Sequence, residues 1–486
     1  MSNFPFGFDP GAPDGDDSRP EPSPGDPLSA LLGGSGGDIG AAFQRLGQLL
    51  SWQGGPVNWD LARDVARQVV AAAGDRSVTT ADREPVLDAM RLAELWLDTA
   101  SAFPAGAAGA SAWSRAEWIE ATLPAWRELV DPLAAKVVDS MSTMLGGMDG
   151  TGGTGGAGSA MERLGIAPEQ VEAFTASSGS AGLSALTGPI QQMMRSVGGA
   201  MFGAQIGQAI GTLAVDVVGS TDVGLPLAAA GRAALLPVNV AAFGEGLEVP
   251  ADQVRLYLAL REAAHHRLFA SVPWLRPHLV DAVAAYAQGI HVDPARLEEA
   301  MGSIDPTNPE SVQQALSGGM FEPEDTAEQK AALVRLETAL ALVEGWVDEV
   351  VDAAAAPHLP GAAALRETVR RRRASGGPGE HTFASLVGLE LRPRRLRDAA
   401  ALWRAVLAEN GQAGREAVWA HPDLLPSPAD LDDPTSFAAA SAGRGGAAPL
   451  DLSGLDDTEA PREPPAPGRP APEPPAPEPP APARDE

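Results

Sequence analysis

Apolar residues recur three and four positions apart along most of this chain, and that interval is the helical one. In NWDLARDVARQVVAAAG, Trp59, Ala62, Val65, Ala66 and Val69 fall on one stripe. In EPVLDAMRLAELWLDTA the stripe is Val86, Ala89, Met90, Ala93, Trp96 and Leu97, with Pro85 placed near the start of the helix, where a missing amide donor does no harm. Ser114 with Glu117 makes a capping box for a third helix, which Pro124 is expected to end or kink. Trp113, Trp118 and Trp126 read as core or helix-contact residues. A long apolar helical run follows later, AEQKAALVRLETALALVEGWVDEVVDAAAA. Strand-like alternation is sparse, and FASLVGLELR (Phe383 to Arg392) is the best candidate for a short strand. The pattern predicts a mainly α protein with at most a small β element.

Composition divides the chain. Residues 1–38 are Pro, Gly and Asp with too few apolar side chains to offset ordering entropy, and residues 441–486 end in a proline-rich acidic repeat that cannot pack a core. Both are expected to be disordered tails. Between them the reading is an N-terminal helical region, 39–145, a Gly-rich linker, 146–160, and a longer helical domain, 161–440. Within the last, SVGGAMFGAQIGQAIGTLAV carries Gly199, Gly203, Gly207 and Gly211 on one stripe. That spacing suits close helix pairs in membranes or in a protein core. Gln205, Gln208 and the glycines leave the segment only weakly apolar, so a buried helix against which another backbone lies is expected, and no membrane span.

The net charge of −29 argues against nucleic acid as a partner, since phosphate contacts need local positive charge. The chain has no cysteine, which removes disulfides, thiolate chemistry and Cys-ligated zinc. No basic, apolar leader opens the sequence, and a cytoplasmic location is expected.

The candidate chemistry lies in LYLALREAAHHRLFASVPWL, Leu256 to Leu275. Zinc-protease helices read His-Glu-x-x-His, two ligands four apart with a glutamate that activates the metal-bound water. Here Arg261-Glu262-Ala263-Ala264-His265 supplies the glutamate and the second histidine, with arginine in the first ligand position. A helix is expected from Asp252 to about Phe269, with Val254, Leu258, Arg261, His265 and Leu268 on one face. Charges on so apolar a stripe must be paired. Arginine has no lone pair to give and stays protonated, so it places positive charge where a cation would sit. His266 is turned about 100° from His265, so the two do not face one ion. Glu262 and His265 are also half of a di-iron motif, but no other histidine has glutamate three residues before it.

MFGAQIGQAIGTLAVDVVGSTDVGLPL, LREAAHHRLFASVPWLRPHL, LVEGWVDEVV and HTFASLVGLELRPRRLRDAAALW, in that order, resemble the zincin-like metallopeptidase family of high-GC bacteria. The resemblance spans roughly Glu162 to Ala438 and, more loosely, the helices from Phe43. It implies a zincin-like helical fold and a family label of zinc-dependent hydrolase. It puts the first ligand position on Arg261, the general base on Glu262, the second ligand on His265 and a third ligand on Glu344, beside Gly345. His266 joins Arg261 as a residue lining the site.

Arginine at position 261 departs from the family's motif. The guanidinium is expected to stand where the metal would have been, paired with Glu344, Glu262 or both, and Arg261→His alone is expected to create zinc affinity. Two functions follow. One is a metal-free, non-catalytic scaffold or binder of a protein or peptide partner, with no cofactor. The other is a working zinc hydrolase with Glu262 as base and His265 and Glu344 as ligands. Arg370 to Arg373, with Arg392, Arg394, Arg395 and Arg397, read either as a basic helix end or as a site for an acidic peptide, phosphate or nucleic acid. No Walker motif and no Gly-x-Ser-x-Gly elbow is present.

Overall fold

The computed structural model describes residues 55–147, 196, 198–288, 326–374 and 395–445. In chain order the elements are α1 (Trp59–Ala72), α2 (Thr80–Leu97), β1 (Gly109–Ala112), α3 (Arg115–Gly147), α4 (198–216), β2 (Arg232–Leu235), α5 (Pro237–Gly244), α6 (Ala251–Ser271), α7 (Leu275–Gln288), α8 (Ala327–Ala355), α9 (Ala362–Ala374), α10 (Leu396–Ala417) and α11 (Pro434–Gly445). The protein is mainly α, as its periodicity predicts. Among the described residues the only sheet is the parallel pair β1–β2, with Gly109 opposite Arg232 and Ala112 opposite Leu235. The strand expected at Phe383–Arg392, most of the 146–160 linker and residues 1–38 lie outside the described residues. Helix α11 runs five residues into the stretch read as the C-terminal tail.

Pro85 sits deeper in its helix than expected, and Pro124 does not end its own. Helix α2 starts at Thr80, because Thr79 and Asp82 form a reciprocal capping box, so Pro85 sits inside the helix and not at its entry. Helix α3 begins with the expected Ser114–Glu117 box, Ser114 N donating to Glu117 Oε2 at 2.7 Å and Glu117 N to Ser114 Oγ at 3.1 Å. It then continues through Pro124 and Pro132 to Gly147. The carbonyls four residues before these three prolines belong to Ala81, Glu120 and Glu128, all exposed, so water can replace the lost amide.

The core is built around α6 and α8. Each is buried on every side along its middle, from Leu256 to Leu268 and from Ala339 to Val351. The single apolar stripe expected on α6 was therefore too narrow: α2, α5, α8, α9 and β2 pack around it. Trp118, Trp126, Trp346 and Trp403 are fully buried in the same core, each contributing on the order of 2–3 kcal/mol of apolar burial.

Glycines set two of these contacts. A Cβ on Gly203 or Gly207 of α4 would lie 2.4 Å from the carbonyl oxygen of Asn58 or Ala62, so α4 lies directly on the backbone of α1. This is the close approach that the glycine stripe predicts. No helix among the described residues is long and apolar enough to cross a membrane. In α8, a Cβ on Gly345 would lie 2.6 Å from the Ala399 Cβ, so Gly345 is what lets α10 press against α8 beside Glu344.

Candidate functional site

Burying Arg261, Glu262, His265, His266 and Arg267 in one central helix is costly unless every charge is met. Arg267 is met by α2, Arg261 and His265 share one carboxylate on α8, and Glu262 and His266 meet each other. Arg267 reaches outward to α2, donating to Glu94 Oε2 at 2.7 Å and Asp98 Oδ1 at 2.7 Å. Arg261 and His265, one turn apart, face α8. Arg261 Nη2 donates to Glu344 Oε2 at 2.6 Å, and His265 Nε2 lies 3.2 Å from Glu344 Oε1. The other ring nitrogen of His265, Nδ1, donates to the Arg261 carbonyl oxygen at 2.8 Å. His265 thus lies between the main chain of its own helix and the Glu344 carboxylate.

Glu262 and His266 face the other way, toward the 218–222 turn and β2. The Glu262 carboxylate accepts from the amides of Ser220, Thr221 and Ala234, each at 3.2 Å. It also accepts from Thr221 Oγ1 at 2.6 Å, from the Ser220 hydroxyl, and lies 3.2 Å from His266 Nε2. Gly219 makes this cradle possible, because a Cβ there would lie 2.6 Å from Glu262 Oε2 and 3.1 Å from the Ala234 carbonyl. Burial raises the Glu262 pKa, but His266 and the two hydroxyls outweigh it and bring the group down from 4.5 to about 2. A carboxylate so depressed, with every lone pair engaged, is a poor base for a water proton. Ser220, His266 and Glu262 do not form a nucleophilic triad either: serine and glutamate both contact the same nitrogen, Nε2, at 3.1 and 3.2 Å.

Sequence reasoning missed the remaining charge at the site. Arg373, the last arginine of the 370–373 run, enters from α9 and places Nη2 2.8 Å from Glu344 Oε1. Arg372 pairs with Asp222 at 3.0 Å, and Arg366 and Arg370 both pair with Asp348 on α8, at 2.7 and 2.6 Å. The run is a basic helix end, as one of its two readings has it, with exposed Arg371 on Glu367 of the same helix. Arg370, Arg372 and Arg373, with Arg366, are also the basic half of a network whose acids come from α8 and the 218–222 turn. Arg395 and Arg397 sit on Asp398, Asp432 and Glu367, while Arg392 and Arg394 lie outside the described residues. Burial pushes Glu344 upward, but Arg373, His265 and Arg261 outweigh it and hold its carboxyl far below the ordinary carboxylate range. The space between Thr221, Asp222, Arg261, Glu262, His265 and Arg373 is about 20 Å³, room for roughly one water molecule.

A family model for zincin-like metallopeptidases matches residues 57–438. The chain belongs to that family. A similar solved structure is that of a Chloroflexus aurantiacus protein described as a "putative hydrolase with a novel fold". It is 19% identical over 79% of this chain and 98% of that one, with a TM-score of 0.52, a likeness that shows the fold. No match was found among curated proteins.

Zincin-like membership implies a zinc ion, and the donor set does not fit one. Of the three positions that the resemblance marks as ligands, one holds a guanidinium that has no lone pair, and one, Glu344, has both oxygens engaged by cations. Only His265 is oriented as a ligand is, its Nδ1–H anchored on a carbonyl and its Nε2 turned into the site. Among the described residues no group of three or more His, Asp or Glu side chains converges on a common point.

Proposed function

We propose that this is a non-catalytic member of the zincin-like family, a metal-free scaffold that acts by binding a protein or peptide partner. The observation that carries the reading is the Arg261–Glu344 pair at 2.6 Å, in which the first ligand position neutralises the third. The cradle around Glu262 supports it independently, since three amides and two hydroxyls occupy the lone pairs a general base would use. An internal guanidinium holds α6 to α8 at any metal concentration and any neutral pH, which suits a structural part more than a catalytic one.

The orientation of His265 favours one alternative, a working zinc hydrolase with Glu262 as base and His265 and Glu344 as ligands. That reading requires Arg261 and Arg373 to leave Glu344 and a further donor to arrive. Metal analysis of the purified chain, with an assay of peptide hydrolysis before and after zinc addition, separates the two. The scaffold reading expects no stoichiometric zinc and no cleavage. One zinc per chain, with cleavage lost in Glu262→Gln, would overturn it.

A further inference from the structure

Glu344 is where three helices meet. Arg261 reaches it from α6 and Arg373 from α9, at 2.6 and 2.8 Å, one guanidinium on each carboxylate oxygen. Both cations are deep in the fold, their side chains 7% and 12% exposed. The approach of Arg373 depends on the 222–225 turn. Gly224 has φ +83°, and a Cβ there would stand 3.1 Å from Glu344 Oε1 and 3.7 Å from Arg373 Nη1. Asp222, on the same turn, lies 3.7 Å from Arg373 Nη2 and adds a second negative charge beside the guanidinium. Arg373 is thus positioned as specifically as Arg261, although it comes from outside the motif helix.

A divalent ion would bring two positive charges to a carboxylate and an imidazole. Two guanidiniums bring the same charge, already attached to the chain and matched to the carboxylate's two oxygens. We propose that Arg261 and Arg373 together are the resident counter-charge of this site, standing in for one divalent ion and excluding it at two positions. The inference rests on the metal-free reading above and deepens it. It replaces the expectation that a histidine at position 261 is enough: with Arg373 still on Oε1, an arriving zinc meets a carboxylate already neutralised and a fixed positive charge beside it.

The test uses the full chain with four sequences: unaltered, Arg261→His, Arg373→Gln, and both together. Zinc is measured after dialysis and by competition with a chromophoric chelator, and thermal unfolding is followed with and without zinc. Only the double variant is expected to retain one zinc per chain. Its affinity should exceed that of Arg261→His by on the order of 100-fold, and its melting temperature should rise with zinc and fall again with EDTA. A fourth variant, Arg373→Lys on the Arg261→His background, keeps the charge and is expected to stay zinc-free. Binding by Arg261→His or by Arg373→Lys as tight as by the double variant would overturn the role of Arg373 and leave the metal-free reading standing. A folded double variant that holds no zinc would overturn it too. Stoichiometric zinc in the unaltered chain would instead overturn the reading on which the inference rests.

Discussion

Replacing Arg261 with methionine keeps the length of the side chain in the core and removes one guanidinium from a carboxylate that is itself only 1% exposed. Removing one partner of a buried pair costs about 3–5 kcal/mol, because the remaining charge is left without compensation. Glu344 keeps Arg373 at 2.8 Å and His265 at 3.2 Å, so the loss belongs at the lower end, about 3 kcal/mol. If Glu344→Gln is introduced first, the stranded charge is gone, and Arg261→Met should then cost only about 1 kcal/mol, a coupling of about 2 kcal/mol. Urea unfolding at pH 7, read by the fluorescence of the buried tryptophans, including Trp346 on the same helix, measures all four corners of this cycle. Additivity within about 0.5 kcal/mol would refute the reasoning, since it would mean that the two side chains do not exchange charge in solution.

Acid should unfold the protein partly through Glu262. Its folded pKa of about 2 lies below the ordinary 4.5, so its contribution is complete above pH 4.5 and disappears as pH falls toward 2. The difference is about 3 kcal/mol, and Glu262→Gln should flatten the stability curve in that window by about one proton while lowering stability at pH 7. A curve as steep in the variant as in the unaltered chain would remove Glu262 from the account. Gly219→Ala should cost about 2–3 kcal/mol in thermal unfolding, as its methyl would stand 2.6 Å from Glu262 Oε2 with the Ala234 carbonyl behind it. Gly207→Ala, whose methyl would meet the Ala62 carbonyl at 2.4 Å, should lift α4 from α1, costing about 1–3 kcal/mol and speeding amide exchange in α1.

The helical class, the N-terminal cap of α3, the smooth glycine face of α4 and the extent of α6 were legible because they depend on spacing within one segment. The pairing of Arg261 with Glu344 was legible in outline, since a guanidinium on an apolar stripe demands an acid and the family resemblance pointed to one. The cradle of Glu262 was not, because three of its donors are main-chain amides, and nothing in GSTD or in the RAAL of β2 marks those atoms as aimed at a helix. Arg373 was missed for a different reason: four consecutive arginines at a helix end look solvated. A usable signal existed in the spacing of Arg366, Arg370 and Arg373, which lie on one side of a helix with Leu365 and Val369 among them. Across from that side, Asp348, Glu349 and Asp352 form an acidic patch on an otherwise apolar run. The starts of α2 and α3 show the same limit from the other side, since polar caps set a helix end more firmly than a proline six or ten residues later unsets it.

The central claim is that a guanidinium stands where the zincin fold would hold its ion. A crystal structure of the unaltered protein grown with millimolar zinc, with diffraction recorded on both sides of the zinc absorption edge, tests it most directly. The account predicts Arg261 and Arg373 in density on Glu344 and no anomalous peak between His265 and Glu344. A peak about 2.0–2.1 Å from His265 Nε2, with Arg261 turned away, would contradict it.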